Sequence, residues 1–160
     1  MADRTHEMRR RYTSLGLGEL CAAGVFAAVA VAQPIPLAPP ATLALWCALG
    51  PLLAVLLQAG VYWLLARRWV GRAAMPARAA RGYRWARVLD PVLLAVGLVG
   101  IVLARPTGGS AVLVGAVWLF GAAEYVNYFV VRLAYPWHRW PRDVVRWRTP
   151  RLVQDLQAGG

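Results

Sequence analysis

Four apolar blocks, each close to or longer than about 18 residues, constrain the fold of this chain more than any other feature. They occupy residues 17–32, 42–66, 86–104 and 111–134, with arginine-rich segments before, between and after them. A helix rises about 1.5 Å per residue, so blocks of this length suit a hydrocarbon core about 30 Å thick. In that medium each backbone N–H and C=O must find its partner inside the protein, which selects helices. The expected fold is an all-α integral membrane protein. It is a four-transmembrane-helix bundle with short loops (17–134), preceded by a segment at 1–16 and followed by an interfacial C-terminal tail at 135–160. Composition agrees: 59% of residues are hydrophobic and 16% charged, against about 25% charged in soluble domains.

Orientation follows from the arginines. All 18 basic residues are Arg, and 17 of them fall in three places: the first segment, the middle loop, and the end of the fourth block with its tail. Only Arg105 lies in the other two loops. The middle loop and its flanks carry Arg67, Arg68, Arg72, Arg78, Arg81, Arg84 and Arg87, with no acid until Asp90. The positive-inside rule places these regions and both termini in the cytoplasm. The same seven arginines are expected to contact anionic lipid headgroups. This positional pattern accounts for the net charge of +11 without nucleic acid as a partner. The Arg, Ala, Gly, Val and Leu bias suggests a GC-rich bacterial genome, and hence a bacterial plasma membrane.

Some boundaries are contested. Arg9-Arg10-Arg11, an apolar stretch and Ala30-Val31-Ala32 have the layout of a cleavable signal, but Glu19 interrupts the stretch, and the first span is expected to be retained. Gln33 to Pro40 carries four prolines and reads as a stiff extended loop. Asp90-Pro91 has the look of a helix cap. A helix from Pro91 to Ala104 spans only about 21 Å, so the third span is expected to start near Arg84 and to bend at Pro91. Thr149-Pro150 opens a short amphipathic helix through Leu152, Val153 and Leu156, and Tyr135 to Pro141 reads as an aromatic interfacial stretch. Cys21 and Cys47 differ in depth by roughly 15 Å and are not expected to pair.

The residues with chemical potential are polar groups inside the spans. Glu124 and Asn127 share a face of the fourth span, Tyr128 adjoins them, and Arg132 lies one turn beyond. Glu124 is about 12 Å deep, measured from Arg132. Gln58 is at nearly the same depth in the second span, and Tyr62 is level with Tyr128. An intramembrane acid costs about 2.5–3.5 kcal/mol on insertion scales and avoids lipid. These six residues therefore predict an intramembrane polar cluster open toward the cytoplasm. Glu19 is expected at the interface and Asp90 as a cap. Gly97, Gly100, Gly115 and Gly121 are expected where helices approach closely, as are Ala23 and Ala27.

No H-E-x-x-H, G-x-S-x-G or P-loop pattern is present, and both histidines, His6 and His138, lie outside the spans. No metal and no cofactor is expected. The functional expectation is an accessory or scaffold protein, or a small-ligand-binding protein, with a polar cluster around Glu124. Its partners would be the bilayer and another membrane protein or a second copy. A small oligomeric transporter or channel using Glu124 for proton coupling is the alternative, and a lipid-directed membrane enzyme is a further one.

Overall fold

The structure is a computed structural model that describes residues 2–33, 36–70, 74–131 and 149–158. Five helices run through these residues: α1 (Ala2–Ala32), α2 (Pro39–Trp69), α3 (Ala77–Ala104), α4 (Gly108–Phe129) and α5 (Arg151–Ala158). The first four are long and apolar enough to cross a membrane, with mean hydropathy of 2.0, 2.0, 2.1 and 1.5 in their most apolar stretches. The protein is an all-α, multi-pass membrane protein. Among the described residues there is no strand.

Helix α2 is the hub. It packs against α1, α3 and α4, whereas α3 and α4 meet each other much less. The pattern of burial says the same: Ala44, Ala48, Leu49, Leu52, Val55, Leu56, Ala59 and Tyr62 are all buried. These positions recur at helical spacing over a broad face, somewhat under half of the circumference, while Leu43, Leu57 and Val61 on the opposite side stay exposed. The outer three helices keep large apolar residues such as Val25, Val96 and Leu119 exposed, as lipid-facing surfaces do.

Two proline-interrupted helices explain much of the packing. A proline inside a helix leaves the carbonyl four residues earlier without its donor. Pro51 does this to Cys47 in α2, and Pro91 does it to Arg87 in α3. The Cys47 carbonyl faces Gly97, where a Cβ would overlap its oxygen. The Arg87 carbonyl is met by the Tyr125 hydroxyl of α4, which donates to it at 3.1 Å. Both gaps in the helical ladder are thus turned into contacts between helices.

Glycines bring the backbones together elsewhere. At Gly16 an added Cβ would stand 2.9 Å from the Gly60 oxygen, and at Gly60 it would meet Leu20 Cγ at 2.7 Å, so α1 and α2 cross there. A Cβ on Gly100 would crowd the Cys47 thiol, and one on Gly121 would press on Leu52 Cβ at 3.3 Å. Gly97, Gly100 and Gly121 are close-approach sites, as their residue type implied. Gly115 is not, because nothing lies within 4 Å of its missing Cβ. Cys21 and Cys47 are free thiols.

Several expected boundaries are corrected. Helix α1 is continuous from Ala2, so Arg9, Arg10 and Arg11 lie on the helix itself. No proline interrupts it, and Gly16 is held against α2. Pro39 and Pro40 begin α2 and do not extend the loop, because the first helical positions need no N–H donors. Helix α3 starts at Ala77, well before Arg84, with Pro76 as its N-cap residue. Helix α4 starts at Gly108 and ends at Phe129, short of the expected residue 134. The Val130 and Val131 amides both donate to the Val126 carbonyl, at 2.9 and 2.8 Å, and this doubled bond closes the helix. At the opposite end Gln33 and Arg105 stop α1 and α3 in left-handed conformations, φ 42° and 48°, the usual geometry of a helix stop.

The amphipathic helix expected after Thr149-Pro150 is present as α5. It does not lie apart at the interface: Leu152, Val153 and Leu156 are buried. Leu152 and Leu156 join Tyr62, Trp69, Tyr83 and Phe129 in one apolar cluster at the arginine-rich end of the bundle. The expected aromatic stretch from Tyr135 to Pro141 lies outside the described residues.

Candidate functional site: an intramembrane polar layer

The polar side chains of the arginine-rich half do not converge on Glu124. They form three hydrogen-bonded groups, joined to one another through the Tyr62 ring, whose centroid is 5.0 Å from that of Trp63 and 5.7 Å from that of Tyr83.

The first group joins α1, α2 and α4. The Tyr128 hydroxyl donates to Glu19 Oε1 at 2.5 Å, and Trp63 Nε1 donates to the Tyr128 oxygen at 3.2 Å. Tyr12 packs on Trp63 with ring centroids 4.9 Å apart. Glu124 hydrogen-bonds with Asn127 on its own helix and lies within electrostatic range of Glu19. Glu19 is therefore not an interfacial charge directed at water. It is half-buried because α1 begins far earlier than its apolar block, and this places Glu19 well inside the helix and beside α4.

The second group joins α2 and α3. Gln58 Nε2 donates to Asp90 Oδ1 at 2.9 Å, and the Tyr83 hydroxyl donates to the Gln58 carbonyl at 3.1 Å. Asp90 is 1% exposed. It is not a helix cap, since α3 starts thirteen residues earlier, at Ala77. Its carboxylate points at α2 instead of at a helix start. Two acceptors of this group, Asp90 Oδ2 and Gln58 Oε1, are buried without a hydrogen-bond partner.

The third group ties α5 to α2. Asp155 Oδ2 accepts from the Tyr62 hydroxyl at 2.9 Å and from Trp69 Nε1 at 3.2 Å. Its other oxygen pairs with Arg151 Nε at 3.2 Å. Tyr62 is fully buried here: its hydroxyl goes to the tail, while its ring lies edge-on against Trp63, the indole that donates to Tyr128.

The chain matches no family model, no curated protein and no solved structure. Its chemistry is therefore read from this geometry alone.

Of the six residues expected in one cluster, Glu124, Asn127 and Tyr128 stay together through α4. Gln58 and Tyr62 belong to the other two groups, and Arg132 lies outside the described residues. Among the headgroup candidates, Arg67, Arg68, Arg78, Arg81, Arg84 and Arg87 are exposed, and Arg72 lies outside the described residues. No group of three metal-ligating side chains occurs among the described residues.

Sequence reasoning missed Asp90, Glu19, Asp155 and the indoles of Trp63 and Trp69 as members of these networks. Depth along the chain was the available signal for Asp90. Three residues beyond Arg87, it is about one turn inside the apolar block, and its contact with Gln58 puts it deeper than that count gives.

Proposed function

We propose that this protein is an accessory or scaffold protein of a bacterial plasma membrane, with both termini and the arginine-rich end in the cytoplasm. The observation that carries this reading is the pairing of the polar groups inside the bundle. Glu19 takes Tyr128 between α1 and α4, and Gln58 takes Asp90 between α2 and α3, while Glu124 is satisfied by Asn127 within α4. Polar groups used this way act as glue that sets helix register and rotation. Among the described residues, neither the cleft between α1 and the end of α2 nor the apolar pocket beside Phe26 and Leu49 is lined by any of them. The lipid-side face of α3 supports a docking role: Trp85, Leu89, Val92, Val96, Val99 and Leu103 are all exposed. They recur at alternating steps of four and three, the spacing with which one helix packs along another.

Mild extraction followed by native mass spectrometry tests this. The expected result is a complex heavier than the 17.5 kDa chain, containing a second membrane protein or a second copy. It should be weakened by Val96→Trp on the exposed face of α3. A chain that runs only as a monomer, with Val96→Trp behaving as wild type, would remove the reading.

Proton-coupled transport remains the second reading, and one observation favours it at Asp90. A buried carboxylate oxygen and a buried amide oxygen without donors are two acceptors that a proton or small cation would satisfy. Proteoliposomes with an internal pH dye separate the readings. Flux abolished by Asp90→Asn or Glu124→Gln, at normal protein abundance, supports transport. Unchanged pH in all three proteins supports the scaffold.

A further inference from the structure

An open cleft of about 890 Å³ lies between the first turns of α1 and the last turns of α2. Arg9 and Arg10 line it from α1, and Arg67 and Arg68 line it from α2, with His6 alongside. Thr13 links the two walls: its hydroxyl donates to the Arg9 carbonyl at 3.0 Å and accepts from Arg67 Nη1 at 3.3 Å. The side of Arg67 is thus anchored to α1, and its position is held by more than the bilayer surface.

The charges here are unbalanced. Among the described residues the only ion pair is Arg151 with Asp155, and none of their carboxylates pairs with any of the four cleft arginines. Arg9 Nε is shielded from solvent and has no hydrogen-bond partner. A shielded guanidinium N–H without an acceptor is a destabilising arrangement unless an acceptor arrives. Four guanidiniums held on two packed helices also repel one another until an anion enters.

The chemistry and shape of the cleft narrow the choice of anion. Guanidinium forks match the oxygens of phosphate in pairs, so phosphate suits a set of arginines from two directions. Leu17 lines the same cleft and is 51% exposed. It lies seven residues past Arg10, about 10 Å deeper along the helix. A basic mouth that continues into an apolar wall on the bilayer side fits a phosphate with hydrocarbon below it.

We propose that the cleft between α1 and α2 is a binding site for the phosphate of an anionic phospholipid, held by Arg9, Arg10, Arg67 and Arg68. This goes beyond the scaffold reading and does not depend on it. It also differs from a general attraction of arginines to the membrane surface, because it assigns the contact to one pair of helix ends.

The test is lipid titration of the full chain in detergent, read by native mass spectrometry. The probes are dioleoylphosphatidylglycerol, dioleoylphosphatidylcholine and inorganic pyrophosphate. The phosphatidylglycerol is expected to bind at least tenfold more tightly than the choline lipid. Arg67→Gln with Arg68→Gln should cost roughly tenfold. Arg81→Gln with Arg84→Gln, on exposed sites of α3, should cost less than twofold. Arg9→Lys keeps the charge but loses the shielded Nε and the planar fork, and should still weaken binding severalfold. Equal losses in the two double variants, or no preference for the anionic lipid, would overturn the site in favour of diffuse surface charge. Pyrophosphate that binds alone and displaces the lipid would keep the phosphate site and overturn the lipid as its source.

Discussion

Gly97→Ala is the sharpest test of how the bundle is built. The added methyl would overlap the Cys47 carbonyl oxygen, stand 3.2 Å from Pro51 Cγ and 3.4 Å from the Cys47 carbonyl carbon. None of these atoms can rotate away, since they are a backbone peptide and a closed ring. Relief requires α3 to move off α2, which also disturbs the Gly100 contact one turn on. Overpacking of a tight interface costs about 1–3 kcal/mol, and the rigidity here puts the value near the top. Alanine returns about 1 kcal/mol as the better helix former. The net expectation is a loss of about 2 kcal/mol, taking these two magnitudes together. Gly115→Ala is the internal control, because its Cβ enters open space; it should gain roughly 0.5–1 kcal/mol. The assay is reversible unfolding in mixed micelles with increasing dodecyl sulfate, followed by far-ultraviolet circular dichroism. A Gly97→Ala protein as stable as wild type would show that α2 and α3 do not meet at this point, and a Gly115→Ala protein that loses as much would show that the Gly97→Ala loss does not come from this contact.

Three further outcomes follow from single contacts. Tyr125→Phe removes the donor to the carbonyl that Pro91 freed, and should cost about 0.5–1 kcal/mol in the same unfolding assay. Asp155→Ala deletes the acceptor of Tyr62 and Trp69; the eight residues of α5 are too short to hold a helix alone, so backbone amide exchange across 151–158 should rise at least tenfold while the four long helices keep their protection. Arg105→Gly relaxes a left-handed residue and should stabilise by about 1 kcal/mol, provided that Arg105 makes no other contact; a loss of stability would show that its side chain matters more than its backbone.

The class of fold was legible because hydrocarbon leaves few solutions for an apolar block of about twenty residues. Helix ends were less legible, and the reason is specific. Hydropathy marks where the apolar stretch ends, whereas the helix continues as long as the backbone ladder does. Helix α1 runs fifteen residues ahead of its apolar block, and α3 starts nine residues before its own. That difference misplaced Glu19 and Asp90. Each was judged against an expected helix edge, and both sit well inside a helix with a partner on a neighbour. The hydrogen bonds of the six-residue cluster divide among three groups for a related cause. Equal depth places side chains in one layer but says nothing about rotation around each helix axis. Gln58 and Tyr62 share one face of α2 and both meet α3, through Asp90 and the Tyr83 ring, but the hydroxyl of Tyr62, one turn on, goes to Asp155 of α5.

Both proline-freed carbonyls lead to the same conclusion about how the sequence encodes this bundle. A proline in a spanning helix exposes a strong acceptor where water is absent, and an unmatched acceptor there is costly. The neighbouring helix must therefore present a donor, or close in tightly enough for weak C–H contacts with the acceptor. Tyr125 does the first for Arg87, and Gly97 does the second for Cys47. Each proline thereby selects the rotation of its neighbour as well as perturbing its own helix. If that is so, Pro51 and Gly97 should behave as a coupled pair. Replacing Pro51 with Ala restores the N–H, returns the Cys47 carbonyl to its own helix, and lets α2 straighten. The Gly97→Ala penalty should then shrink by about 0.5–2 kcal/mol, within the range of coupling energies between contacting residues and no more than the penalty itself. A double-mutant cycle that closes with no coupling would separate the two and leave the proline as a local feature of α2 alone.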